Sequence, residues 1–160
     1  MTGPGTGNCA ATSTCRIIKA DKELLYRAFT ERDLLLNWLP PGEMTGEMHA
    51  FDARVGGGYE MSLFYPPGDR SGRGKTNDRE DRVRVRFVAL EPPDRIVEAV
   101  DFVTDDPALA GVMRLVVTLG EAPGGTEVTM AFENIPLGLD PEDNHAGARQ
   151  SLEQLARLIE

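Results

Sequence analysis

The segment from residue 95 to residue 103 places one acidic side chain on each face of a predicted strand. One face carries Glu98 among apolar residues, and the other carries Asp101. Because successive side chains of a strand point to opposite faces, one of these two carboxyls faces the interior in either register. A buried carboxyl is costly unless it is paired, hydrated or protonated, so it is a candidate functional group. We predict that Glu98 is the inward one and a catalytic candidate, because its face also carries Phe102, which suits a core better than Val103 does.

The two histidines of the chain are further candidates. His145 lies three and seven residues before Ala148 and Leu152, which predicts that it faces the sheet from a C-terminal helix. There it is a candidate general acid/base or ligand-orienting donor; the alternative is a structural histidine near the acidic start of that helix. His49 lies two residues before Phe51 in a predicted strand, so the two share a face. Two histidines without carboxylates at ligand spacing predict no metal site, and we expect no cofactor.

Large apolar and aromatic side chains supply the walls of a predicted pocket. The predicted ligand-binding residues are Trp38, His49, Phe51, Tyr59, Met61, Phe87 and Phe132. Most of them are equally typical of an ordinary hydrophobic core, so we expect only a minority to touch a ligand.

Two glycine-containing motifs resemble phosphate-binding loops only superficially. In FDARVGGGYEM (51 to 61) the glycines lie between two predicted strands, so no helix N-terminus is available to a phosphate. We interpret this segment as a tight turn held by an interaction between Asp52 and Arg54. The GKT sequence at 74 to 76 lacks the earlier glycine of a Walker A motif, because Asp69 occupies that position. ATP binding is therefore not predicted.

The charge and hydropathy of the chain argue against two classes of partner. A net charge of −9 disfavours both nucleic acid and an anionic membrane surface. Arg82, Arg84 and Arg86 alternate with apolar residues, which indicates a solvated strand face. No apolar run approaches the roughly 20 residues of a membrane span, and the N-terminus lacks a secretory signal pattern. We expect a cytoplasmic protein in which Cys9 and Cys15 are free thiols.

The first part of the chain predicts a short tail followed by a strand and two helices. Residues 1–11 are rich in Gly, Thr and Ala and are expected to be disordered, and a single domain is expected over 12–160. A strand at 13–20 precedes a helix capped by Asp21. Thr30 begins a sequence that resembles a capping box, which predicts the start of a second helix.

The remainder predicts an antiparallel meander and a terminal helix. Short alternating segments are joined by turns, and the polar stretch at 66–81 is interpreted as an exposed loop. Asp140 is a candidate cap for the last helix. That helix carries one apolar stripe, formed by Ala148, Leu152, Leu155, Ala156 and Ile159.

Several of these segments, taken in order, resemble one known family. They are RAFTERDLLLNWLPP (27 to 41), FDARVGGGYEM (51 to 61), GKT (74 to 76), LEPPDRIV (90 to 97), GGTEVTM (124 to 130) and PEDNHAGARQSLEQLARLIE (141 to 160). Over roughly 14–160 the chain resembles the heat shock protein 90 ATPase activator homologue family, within the START-like, polyketide cyclase-like SRPBCC superfamily. The resemblance implies an α+β helix-grip fold, as in birch-pollen-allergen-like proteins.

In that fold a curved antiparallel sheet surrounds a long C-terminal helix, and two short helices follow the first strand. One departure concerns the last helix, where many family members carry Gly-Trp and this chain has Gly147-Ala148. The loss of bulk implies either a larger pocket or another large side chain in its place.

The sequence leaves three functional hypotheses. The leading one is binding of a small hydrophobic or aromatic molecule between the sheet and the C-terminal helix. The second is a cyclase- or hydratase-like enzyme in which Glu98 or His145 transfers a proton. The third is a chaperone-accessory module that binds a protein partner, and a homodimer also stays open. Neither the ligand nor the presence of catalysis follows from the sequence.

Overall fold

The computed structural model describes residues 10–69, 74–77 and 79–160, which form an α+β helix-grip fold. The described residues contain three α-helices: α1 (Lys22–Thr30), α2 (Arg32–Trp38) and α3 (Pro141–Ile159). They also contain seven strands: β1 (Ala10–Ile18), β2 (Thr45–Asp52), β3 (Gly58–Phe64), β4 (Glu80–Glu91), β5 (Arg95–Phe102), β6 (Met113–Ala122) and β7 (Gly125–Ile135). The predicted fold class and order of elements are confirmed.

The seven strands form one curved antiparallel sheet in the order β1-β7-β6-β5-β4-β3-β2. Strands β2 to β7 form a simple meander, as predicted. The last strand, β7, also pairs with the first strand, β1. β1 and β2 are therefore the two edges of the sheet, and α3 packs against β1. No helix of the described part of the chain has the length and apolarity that crossing a membrane requires.

The first strand begins earlier than predicted. Ala10 pairs with Ile135 of β7 and Thr12 with Phe132, so the ordered chain includes the last two residues of the predicted tail. The strand ends at Ile18, two residues before the predicted end. Residues 1–9, where the rest of the tail prediction falls, lie outside the described residues.

The two short helices confirm one predicted cap and contradict the other. The Asp21 carboxylate accepts a hydrogen bond from the Leu24 amide at 2.9 Å and so caps α1. Thr30 instead ends α1, and its hydroxyl donates to the Tyr26 carbonyl. Glu31 is the N-cap residue of α2 and makes no side-chain cap bond. The capping-box prediction at Thr30 was wrong because α1 continues one residue further than its hydrophobic pattern indicated.

Alternation along β4 separates the two faces of the sheet. Val83, Val85 and Phe87 point inward and are buried. Arg82, Arg84 and Arg86 point outward, as predicted, and Arg84 forms ion pairs with Glu60 at 3.5 Å and with Asp101 at 3.7 Å. The outer face is therefore a charged surface, whereas the inner face carries the apolar residues against which the helices pack.

Side chains of α3 hold the end of α2 in place. The Ser151 hydroxyl donates to the Leu39 carbonyl at 2.7 Å, and the Gln154 amide donates to the carbonyls of Trp38 and Pro40. These bonds satisfy carbonyls that the end of α2 leaves without helical partners. The predicted apolar stripe of α3 is confirmed, since Ala148, Leu152, Leu155 and Ala156 are all buried.

Candidate functional site

A cavity of about 750 Å³ lies between the inner face of the sheet and the first half of α3. This volume is within the range of small-molecule sites. Strands β3 to β7 supply the largest share of its wall, and α3 and the connections α2–β2 and β3–β4 supply most of the rest. Much of the apolar lining comes from Met61, Val85, Val100, Leu115, Met130 and Phe132.

Glu98 lies in the cavity wall, between Phe87 of β4 and Leu115 of β6 in the strand ladder. The residue is 3% exposed, so the predicted inward orientation is confirmed, and Asp101 points outward towards Arg84. Within the described part of the chain its carboxyl has no hydrogen bond or ion pair, and because no fully buried side-chain oxygen there lacks a partner, the carboxyl oxygens reach the open space of the cavity. Burial away from water raises the pKa of Glu98 from 4.5 to about 8. At neutral pH the group is mostly a neutral acid that can donate a hydrogen bond into the cavity.

Tyr59 is the titratable neighbour of Glu98 in the wall. The residue is 6% exposed, and its ring stacks on Phe51 at 5.7 Å and contacts Phe87 at 6.0 Å. Burial, and secondly the charge of Glu98, raise the pKa of Tyr59 well above its usual value. The phenol therefore stays protonated and is a second polar group of the cavity wall.

A second polar cluster, which sequence reasoning missed, is formed by Tyr65, Lys75 and Asp81. The Lys75 ammonium lies 3.0 Å from the Asp81 carboxylate, and the Tyr65 hydroxyl donates to the same carboxylate at 2.9 Å. The Lys75 backbone amide donates to the other carboxylate oxygen of Asp81 at 2.7 Å. The ammonium also lies 5.6 Å from the centre of the Phe102 ring.

The two polar groups lie apart in the cavity. Phe102 lies near Lys75 and stands four residues from Glu98 on β5, which corresponds to roughly 13 Å along a strand.

The predicted exposed loop at 66–81 was wrong at two positions, because Lys75 is partly buried and Asp81 is buried in the wall. Asp81 is in phase with the inward residues of β4, a signal that the sequence does contain.

The family described as activator of Hsp90 ATPase homolog 1-like protein matches residues 19–160. The chain belongs to this family. Among solved structures, a family-like chain from Chromobacterium violaceum is 32% identical, with a TM-score of 0.82, and the alignment covers 93% of this chain and 96% of that one.

Two further solved structures share the fold. One, from Rhodobacter sphaeroides, is 21% identical with a TM-score of 0.74 and coverages of 98% and 94%. The other, from Arthrobacter aurescens, is 18% identical with a TM-score of 0.74 and coverages of 93% and 85%. The comparison with curated proteins returns no match. Membership of the family supports a helix-grip fold of the ligand-binding kind. The descriptions of these three solved structures name no ligand.

The Gly147-Ala148 pair of α3, which the sequence analysis singled out, lies in the cavity wall. Gly147 and Ala148 both line the cavity, and a Cβ atom built on Gly147 meets no atom within 4 Å. Gly147 therefore faces open space, whereas Ala148, where the loss of bulk is expected, is 7% exposed. An enlarged pocket stays a prediction.

Three of the predicted ligand-binding residues line the cavity, namely Tyr59, Met61 and Phe132. Three others belong to the packed core instead. The Trp38 indole donates to the Ala28 carbonyl at 2.9 Å and packs edge-on against Phe29. Phe51 and Phe87 pack on each other and on Tyr59, behind the cavity wall. None of the three lines the cavity, because neighbouring groups occupy the space that each one faces, as expected for the majority of this set.

His49 lies on the outer face of the sheet, opposite to Phe51. Its Nε2 atom is 2.8 Å from the Ser62 hydroxyl, and Nδ1 is 3.5 Å from the Glu47 carboxylate. The predicted shared face was wrong, because the register of β2 against β3 shifts between Met48 and Ala50. The extra residue of this bulge turns the side chain of His49 outward.

His145 is partly buried but does not line the cavity. Its position is two residues from Gly147, which corresponds to about 200° around a helix, almost the opposite side. The sheet-facing phase that the sequence indicated is shared with buried Leu152, which also does not line the cavity. The structure therefore does not place His145 in the wall that holds Glu98, which favours the alternative of a structural histidine.

Proposed function

We propose that this protein binds one small apolar or aromatic molecule in the cavity between the sheet and α3, and that Glu98 orients it. The single observation that carries the proposal is the Glu98 carboxyl, which is buried in the cavity wall without a partner among the described residues. Isolated polar groups are not usually buried against apolar walls. A ligand that exchanges a hydrogen bond with Glu98 would remove this cost.

The form of the cavity supports the same function. Burial of an apolar body against Met61, Leu115 and Phe132 supplies binding free energy at about 25 cal/mol per Å², less the cost of ordering the ligand. For a two-ring probe this is consistent with affinity in the micromolar range. The polar groups at the two ends of the cavity then select the orientation of the molecule.

The proposal is tested with 1-N-phenylnaphthylamine, an uncharged fluorescent probe whose emission rises and shifts to the blue in an apolar site. We expect saturable binding to the native protein at micromolar concentration. Gly147→Trp places an indole in the open space of the cavity and is expected to weaken binding at least tenfold.

Gly120→Trp is the matched control. Gly120 also has no atom within 4 Å of a built Cβ, but it lies on the exposed side of β6, outside the cavity. This variant is expected to bind the probe as the native protein does. Equal weakening by both variants, or binding that does not saturate in the native protein, would contradict the proposed site. Circular dichroism establishes that both variants fold.

The enzymatic and chaperone-accessory hypotheses stay predictions. Proton transfer by His145 in this cavity has no geometric support, because His145 does not line the cavity wall. Proton transfer by Glu98 alone is compatible with the binding proposal and shares its site. A chaperone-accessory role is checked by adding the protein to an Hsp90 ATPase assay, where no stimulation counts against it.

A further inference from the structure

The charged side chains of the cavity wall are unequally divided between the two signs. Among the described residues that line it, one is basic, Lys75, and four are acidic: Glu43, Asp81, Glu98 and Asp143. Glu43 and Asp143 are exposed at the rim, whereas Asp81 and Glu98 are buried. Since Asp81 pairs with Lys75 and Glu98 is mostly neutral at pH 7, the excess negative charge comes from the two rim acids, which favour a positively charged occupant.

The basic residue is already neutralised by the protein. Lys75 pairs with Asp81 at 3.0 Å, and that carboxylate also accepts hydrogen bonds from the Tyr65 hydroxyl and the Lys75 amide. An anionic ligand would have to compete with this buried carboxylate for the ammonium. No other basic side chain in the described part of the wall is available to it.

Glu98 is the buried acid of this cavity. It is only 3% exposed, and it lines the cavity wall. A charge inside an apolar site is stable only when a counter-charge or several hydrogen bonds accompany it. The described residues around Glu98 provide neither. The free site avoids this charge because Glu98 is mostly protonated at pH 7, and a cationic ligand would supply the counter-charge that lets the carboxyl ionise.

We propose that the ligand carries a protonated amine nitrogen on an apolar or aromatic body, and that this nitrogen pairs with Glu98. The inference rests on the proposed function and specifies the class of molecule for the same cavity. A charge-assisted hydrogen bond between ammonium and carboxylate is among the stronger polar contacts in a protein interior. The net charge of −9 also attracts cations to the molecule.

Binding in this mode moves one proton. The free site holds Glu98 mostly as a carboxylic acid at pH 7, since its pKa is about 8. When an ammonium ion enters, the carboxyl proton leaves to solvent and an ammonium–carboxylate pair remains. The same proton is released if the pair is instead a neutral amine and an acid, so the balance does not depend on where the shared proton lies.

Other titratable groups face the same cavity and must be separated from Glu98. Tyr59 faces it from β3, Asp81 from β4 and Asp143 from α3, while Glu43, Tyr65 and Lys75 face it from the connecting segments. The described lining of β6 and β7 is apolar. The proton released by Glu98 is therefore identified by the difference between the native protein and Glu98→Gln.

The test compares three probes of nearly equal shape: 2-naphthylmethylamine, 2-naphthylmethanol and 2-naphthoate. Isothermal titration calorimetry at pH 7 is performed in two buffers with different ionisation enthalpies, which gives the number of protons released. We expect the amine to bind the native protein at least tenfold more tightly than the alcohol and to release close to one proton. The alcohol is expected to release none, and the naphthoate to bind most weakly.

Glu98→Gln keeps the shape of the side chain and removes its charge. In this variant the amine should lose its tenfold advantage and its proton release, whereas the affinity for the alcohol should change by less than twofold. Glu127→Gln removes an exposed acid of β7 that does not line the cavity and is the matched control, with an expected loss of amine affinity below threefold. Thermal unfolding monitored by circular dichroism checks that the variants are folded.

The possible results separate the two proposals. If the alcohol binds as tightly as the amine without any difference in proton release, the inference is overturned while the binding function stands. If the preference for the amine persists in Glu98→Gln, the assignment to Glu98 is overturned. If none of the three probes binds the native protein, the proposed function fails and the inference fails with it.

Discussion

The Lys75 ammonium lies 3.0 Å from the Asp81 carboxylate, and both side chains are largely removed from water. Lys75 belongs to the connection between β3 and β4, whereas Asp81 is in the second position of β4. The pair therefore ties a connecting segment to the sheet at one end of the cavity. It also neutralises the basic residue that would otherwise attract anions there.

Lys75→Met tests how much this ion pair contributes to the free energy of unfolding. Removal of the ammonium leaves the buried Asp81 carboxylate with hydrogen bonds but without a counter-charge, which is expected to lower the free energy of unfolding by about 2–4 kcal/mol. Urea unfolding at pH 7 measures the loss. In the double variant with Asp81→Asn most of the loss should disappear, because no buried charge remains. Losses that simply add would contradict the pairing.

Glu98 makes the stability of the protein depend on pH in a specific direction. Its pKa is about 8 in the folded protein against an ordinary value of 4.5, so the folded state holds the proton more tightly. The contribution of this group to stability is complete below pH 4.5 and is lost as the pH rises to 8. The expected loss is about 1.4 kcal/mol per pH unit over that interval, as an upper limit.

Glu98→Gln removes this dependence. The variant is expected to be as stable as the native protein near pH 4.5 and more stable by a few kcal/mol at pH 8.5, because an amide does not ionise. Urea unfolding across this range, reported as the difference between the two proteins, cancels the other titrating groups. A difference that stays constant with pH would show that Glu98 titrates normally.

Gly147→Ala is expected to stabilise the protein. Gly147 is inside α3, where glycine is about 1 kcal/mol less favourable than alanine, and its new methyl group would project into open space. We expect a gain of about 0.5–1 kcal/mol in urea unfolding. Gly58→Ala is the contrasting variant, because a Cβ there would overlap the Val85 carbonyl oxygen, and it should destabilise the protein. A loss of stability in Gly147→Ala would mean that the cavity is filled at this position.

Trp38→Phe separates the packed core from the binding site. The change removes the hydrogen bond to the Ala28 carbonyl and leaves a space in the core, for an expected loss of about 2–4 kcal/mol. The affinity for 1-N-phenylnaphthylamine should be unchanged, because Trp38 does not line the cavity. Urea unfolding and a probe titration measure the two quantities. Weakened binding in a fully folded variant would show that Trp38 contributes to the binding site.

Local patterns in the sequence were sufficient for most of the architecture and for one site residue. Period-2 alternation on β5 placed Glu98 inward, because the pleat of a regular strand leaves no other choice. The stripe on α3 and the Asp21 cap were predictable for the same reason, since each depends on residues within one element. The same alternation on β4 also indicates that Asp81 points inward, because it is in phase with Val83, Val85 and Phe87.

Only the tertiary structure decided which buried residues face empty space and which face each other. Trp38 and Phe87 look like pocket residues in the sequence but meet neighbouring groups, whereas Gly147 and Ala148 line the cavity. One bulge reversed the face of His49, and about 200° of helix rotation separates His145 from Gly147. Periodicity determines whether a side chain is buried, but the packing of distant segments determines what it is buried against.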